Sequence, residues 1–102
     1  MAFIDTEVNQ ALREAESQRT GEALYKMGLL YSTGQGVELD YVQAHKWFNL
    51  AAMAGSEAAR IRRAELAHEM SSDEIAAAQR EAREWINTHP VSYTHLTLPT
   101  KA

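Results

Sequence analysis

The sequence predicts an all-α fold of about five helices, and three observations carry that prediction. Apolar residues return every three or four positions through four of five successive stretches, the spacing that gathers them on one helix face. Helix-starting residues (Asp5, Asp40, Ser56 and Ser71) stand ahead of four of those stretches, while Gly34, Gly36 and Gly55 close two of them. The chain of 102 residues is long enough for one domain with a modest core, and its 45% hydrophobic and 24% charged content is that of an ordinary globular protein.

The first helix is expected over residues 5–18. Val8, Ala11, Leu12 and Ala15 fall at i, i+3, i+4 and i+7, so they share one face. Asp5 reads as the N-cap, with Glu7 in the first turn where the helix dipole favours an anion. Arg13, Glu14, Glu16, Gln18 and Arg19 lie mostly on the other side. Thr20-Gly21 then ends this helix and starts the next, over 22–33, whose inner stripe is Leu24, Met27, Gly28 and Tyr31. Glycine inside a helix costs about 1 kcal/mol against alanine, so Gly28 needs a structural reason. Close approach of a partner helix supplies one. Gly34-Gln35-Gly36 stops the helix, with one glycine expected at positive φ. The pair of glycines is too short a pattern for a phosphate-cradling loop, and it follows a helix rather than a strand.

Asp40 opens the third helix, and Gln43 stands three residues on, the spacing of a capping box. That helix is expected to run to about Met53, burying Ala44, Trp47, Phe48, Ala51 and Ala52, before Gly55 ends it. The fourth helix, 57–70, carries Arg60, Arg62 and Arg63 beside Glu57, Glu65 and Glu69, which reads as a solvated, ion-paired face. Ser71 and Glu74 form a second capping-box pair ahead of the fifth helix, 71–87. Its stripe of Ile75, Ala78, Ala82, Trp85 and Ile86 is clean, and its opposite face is charged.

Between Glu22 and Ala59 these features resemble one complete Sel1-like repeat, a tetratricopeptide-related helix–loop–helix unit. The resemblance rests on Ala23, Met27-Gly28, Tyr31, Gly34, Gly36-Val37, Asp40, Ala44, Trp47, Ala51-Ala52, Gly55 and Ala59. It implies a short α-solenoid of antiparallel helix pairs, and a role in protein–protein interaction as an adaptor or scaffold. The fourth helix departs from the pattern: it has no Leu-Gly pair, no following Tyr and no Gly-x-Gly loop. The helices at 57–70 and 71–87 are therefore expected to act as a terminal cap rather than a second full repeat.

Residues 1–89 are expected to form the domain. Residues 90–102 lose the helical period and nearly all charge. Within them, VSYTHLTLPT resembles one reading frame through the transposon-end adapter of sequencing libraries, so this tail is expected to be non-native or disordered.

Several function classes are excluded or disfavoured by composition. A net charge of −4 argues against nucleic-acid binding, which needs a concentrated basic surface. Cysteine is absent, which rules out disulfides and thiolate metal sites. Neither a signal peptide nor a membrane span is visible, so the chain is expected in the cytoplasm. His45 has no ligand partner at i+3 or i+4, and His68 sits among carboxylates without forming a zinc motif. These histidines are expected to be surface or half-buried. The serines lie at helix ends, and no carboxylate pair is isolated in apolar surroundings. No catalytic, cofactor-binding or metal-binding residue is therefore assigned, and no cofactor is expected. The candidate partner-binding face is Tyr25, Leu29 and Ser32, spaced i, i+4 and i+7 on the second helix, facing an unknown protein or peptide. Three alternatives accompany it: a self-associating homo-oligomer, the N-terminal part of a longer repeat adaptor, and an enzyme-regulatory subunit.

Overall fold

The computed structural model describes residues 2–89, and the expectation for the tail at 90–102 lies outside them. Five helices follow in order: α1 (Ala2–Gln18), α2 (Gly21–Thr33), α3 (Tyr41–Met53), α4 (Glu57–Ala67) and α5 (Ser72–Thr88). No strand occurs among the described residues. The all-α repeat architecture expected from the sequence is the one adopted.

Helix ends follow the capping chemistry with two corrections. α1 begins at Ala2, so Asp5 lies one turn inside the helix instead of capping it. Nothing in Ala2-Phe3-Ile4 opposes helix, whereas the N-cap reading required a break there. The Asp40 side chain does accept from the Gln43 N–H at 3.1 Å, but Gln43 does not reciprocate. The Asp40 N–H is already held by the Tyr31 carbonyl at 3.1 Å, so the glutamine amide is released to reach Glu81 at 2.7 Å. The Ser71–Glu74 box closes in both directions. α4 is three residues shorter than expected, because residues 68–70 leave the helix as a turn.

α2 and α3 form the closest pair, and Gly28 is the reason. A Cβ built at Gly28 would stand 2.5 Å from Cε1 of Phe48, and closer still to Cδ1. The two helices therefore meet at a distance only glycine permits. Both hairpin ends agree. Gly21 lies against Ser56 and the Ala51 carbonyl, while Tyr31 meets Asp40, which makes the pair antiparallel. Gly34 takes φ 73° and donates to the Leu30 carbonyl, ending α2 in the left-handed conformation that glycine adopts without penalty. At the far end of α3, the Ser56 N–H bonds Ala51 and the Gly55 N–H bonds Ala52, the Schellman arrangement.

α3 is the hub of the stack. α2, α4 and α5 all pack on it, and α1 packs on α2. Ala44, His45, Trp47, Phe48, Leu50 and Ala51 are all buried, which at 3.6 residues per turn covers more than half its circumference. α5 lies beside α3 in parallel register. Gln43 meets Glu81, and the Trp47 and Trp85 rings meet edge to face at 5.7 Å, so both pairs are 38 residues apart. The same offset relates Ala44-x-x-Trp47-Phe48-Asn49 to Ala82-x-x-Trp85-Ile86-Asn87. α5 thus occupies the place of a second-helix element one repeat further on. α4 and α5 do not approach each other as α2 and α3 do, and α4 buries only Ala59 completely.

Candidate interaction surface

Tyr25 and Leu29, two of the three residues singled out on α2, are half-buried and line one groove. It runs between α1 and α2, encloses about 480 Å³, and is bordered by Glu14, Gln18, Thr20, Glu22 and Lys26. The link between the two helices is only two residues long. Arg19 takes φ 54° to make that reversal, its N–H closing on the Ala15 carbonyl at 3.1 Å. Thr20 then caps α2 by accepting from the Ala23 N–H. Ala11 and Ala15 of α1 are small and buried, which seats α1 on the stack. The Tyr25 ring is fixed from beneath by Phe48, at a centroid distance of 5.6 Å.

Ser32 falls elsewhere. Its hydroxyl donates to the Leu29 carbonyl at 3.2 Å, and it lines a smaller hollow of about 170 Å³ between α2 and α4 with Phe48, Arg62, Glu65 and Leu66. The structure thus brings Tyr25 and Leu29 together and sets Ser32 around the helix from them.

The repeat-defining residues divide by burial. Ala23, Gly28, Ala44, Trp47, Ala51 and Ala59 are buried; Tyr31 and Ala52 are partly covered; Gly34, Asp40 and Gly55 are exposed at helix ends and Gly36 is partly so, with φ 76°. Burial raises the Tyr31 hydroxyl above its ordinary pKa, and the Asp40 charge adds to the rise.

Two features were not anticipated. His45 is buried, with 4% of its surface exposed, rather than surface-lying or half-buried. Its position on α3 explains this, since the hub helix is covered on three sides. Burial, with the Arg63 charge nearby, pushes its pKa below the ordinary imidazole value, and its Nδ1 is buried without a hydrogen-bond partner. Among the described residues, no group of three His, Asp or Glu side chains is arranged to hold a metal.

The second feature is an aromatic junction where α5 meets the start of the stack. His89 stacks on Trp85 at 4.2 Å and nearly parallel, and Arg19 lies 5.9 Å over the same Trp ring. The His89 Nε2 is 3.7 Å from Glu16. Beside this junction Lys46 projects its ammonium 4.8 Å from the Trp47 ring, in a hollow of about 320 Å³ lined by Glu81, Glu84, Trp85 and Thr88. Burial pushes the Lys46 pKa down, and Glu81, Glu84 and Glu16 pull it part of the way back. The 38-residue Trp-to-Trp spacing is the sequence signal that would have located this junction.

On the arginine-rich face of α4, the expected pairing is partial: Arg60 binds Glu57 at the surface, while Arg63 donates to Asn49 on α3 at 2.5 Å.

Comparison with known proteins gives one family match: residues 21–56 match the Sel1 repeat. No curated protein and no solved structure matches the chain. The matched span begins with α2 and ends at the Ser56 cap of α4, so it coincides with the close α2–α3 hairpin. No helix among the described residues is long and apolar enough to cross a membrane.

Proposed function

We propose that this chain is a non-enzymatic adaptor or scaffold module, holding a protein or peptide partner in the α1–α2 groove through Tyr25 and Leu29. Sel1 repeats generally mediate protein–protein interaction, and residues 21–56 are such a repeat. The observation that carries the reading to a place is the groove itself. Two large side chains stay half-exposed there on a helix whose packing fixes them, so a partner meets a rigid surface at little entropic cost. Ser32 extends the same helix toward a second hollow, which suits a partner that crosses α2 at an angle. In this reading residues 1–89 are one domain, in the cytoplasm, with α4 and α5 as an imperfect second unit that braces the first.

A photocrosslinking residue placed at Leu29 in the full-length protein tests this inside cells. Crosslinks to a different polypeptide, lost when Tyr25 is also changed to Ala, are expected. Crosslinks only between copies of the chain would favour self-association instead. A Leu29 probe that captures nothing, beside a working probe elsewhere on the surface, would end the proposal.

A further inference from the structure

Resting on that reading, we propose that the α1–α2 groove selects partner segments in which one or two basic residues flank an apolar anchor. The floor is apolar: Ala23 is buried, and Tyr25 and Leu29 are half-covered. Its two walls each contribute a carboxylate, Glu14 from α1 and Glu22 from α2. Lys26 is the cation in the lining, and it stands four residues after Glu22, the spacing and order that favour an intrahelical ion pair. That pair does not form. Among the described residues, neither glutamate has an ion-pair or hydrogen-bond partner.

The groove therefore presents two carboxylates without an ion-pair partner, one from α1 and one from α2, beside the apolar surface of Tyr25 and Leu29. A lysine or arginine entering from a partner meets acceptors that no internal cation occupies, while its apolar neighbour covers Tyr25 and Leu29. An acidic segment would bring like charges together, and a phosphate backbone would do so more strongly. Lys26 limits the preference in the other direction, because a long basic run would place a cation against it. One or two basic residues fit this arrangement; a polybasic tract does not.

The test is selection of a random ten-residue peptide library, displayed on phage, against the full-length protein. Enriched sequences are expected to carry Lys or Arg within two residues of a large apolar side chain. The double variant Glu14→Gln, Glu22→Gln is expected to weaken the best synthetic peptide about fivefold, as two solvent-accessible pairs would, while its thermal unfolding falls only by the small helix-dipole contribution of Glu22 in the first turn of α2. Raising salt should weaken the parent and leave the double variant nearly unaffected. Enrichment of acidic or uncharged sequences that still require Tyr25 and Leu29 would overturn the charge assignment while leaving the interaction face standing. Equal affinity for parent and double variant would overturn it too, as would enrichment no greater than on a Tyr25→Ala, Leu29→Ala control.

Discussion

The two hairpins of this protein use one design at two levels of closure. In α2–α3, glycine at position 28 lets Phe48 press against backbone, the loop end is tied by the Asp40 N–H on the Tyr31 carbonyl, and Gly21 packs against Ser56 at the other end. In α4–α5 the helices keep apart, and each takes its main packing from α3. α2 and α3 bury four and six residues, α4 one and α5 three. The second helix pair is not closed by its own two helices. The neighbouring unit can hold it, which is how quasi-one-dimensional stacks share their stability.

The sharpest way to break this contrast is at its best-packed point. Phe48→Ala leaves a cavity under Gly28 and Tyr25 and should cost about 3–5 kcal/mol, read by chemical denaturation. Trp85→Ala removes the counterpart of Trp47 in the second helix pair. It is expected to cost less than Trp47→Ala, and the two changes together should cost less than their sum, because the rings touch. Gly28→Leu attacks the same seam from the opposite side, by overpacking, and should destabilise by about 1–3 kcal/mol or more. An unchanged melting temperature would mean the helices can separate freely.

Smaller effects sharpen the picture. Two short links turn the chain between helices: one uses Gly55 at φ 106°, the other Arg19 at φ 54°. A left-handed conformation costs a non-glycine residue about 1–2 kcal/mol, so Arg19→Gly should be more stable than Arg19→Ala by about 1 kcal/mol. Both lose the contact with Trp85, and the difference isolates the backbone. His45 gives a pH signature. Its folded pKa lies below the unfolded value near 6.5, so the unfolded chain binds more protons between the two. Stability should therefore fall as pH drops below about 6.5 and through the folded pKa. His45→Leu should flatten that region, and it should not destabilise, since it removes a buried nitrogen that lacks a partner. A steeper acid loss in the variant would refute the assignment.

The fold was legible in the sequence where local chemistry decides it. Helix periodicity, the Ser71–Glu74 box and the Gly28 contact all depend on residues close together or on a steric requirement that glycine alone meets. Sequence reading failed where a distant group competed. Gln43 left its capping box because the Tyr31 carbonyl had taken the Asp40 N–H, a contact that no local rule contains. His45 was expected to be surface or half-buried and is buried more deeply, because three helices surround α3. The 38-residue echo of Trp47 in Trp85 was present in the sequence, but α4 lacks the glycine and tyrosine signals that would have drawn attention to it. Tyr25 and Leu29 could be picked out by spacing. The groove between them and α1 depends on a reversal at Arg19 that nothing in its residue type announces.

Hydrogen exchange of the native protein, resolved by helix, tests the central claim most directly. α2 and α3 amides are expected to exchange only through global unfolding, while α4 amides open earlier and α5 amides fall between, following the depth of burial. Equal protection of α4 and α2 would contradict it, because the second hairpin would then be as firmly closed as the first.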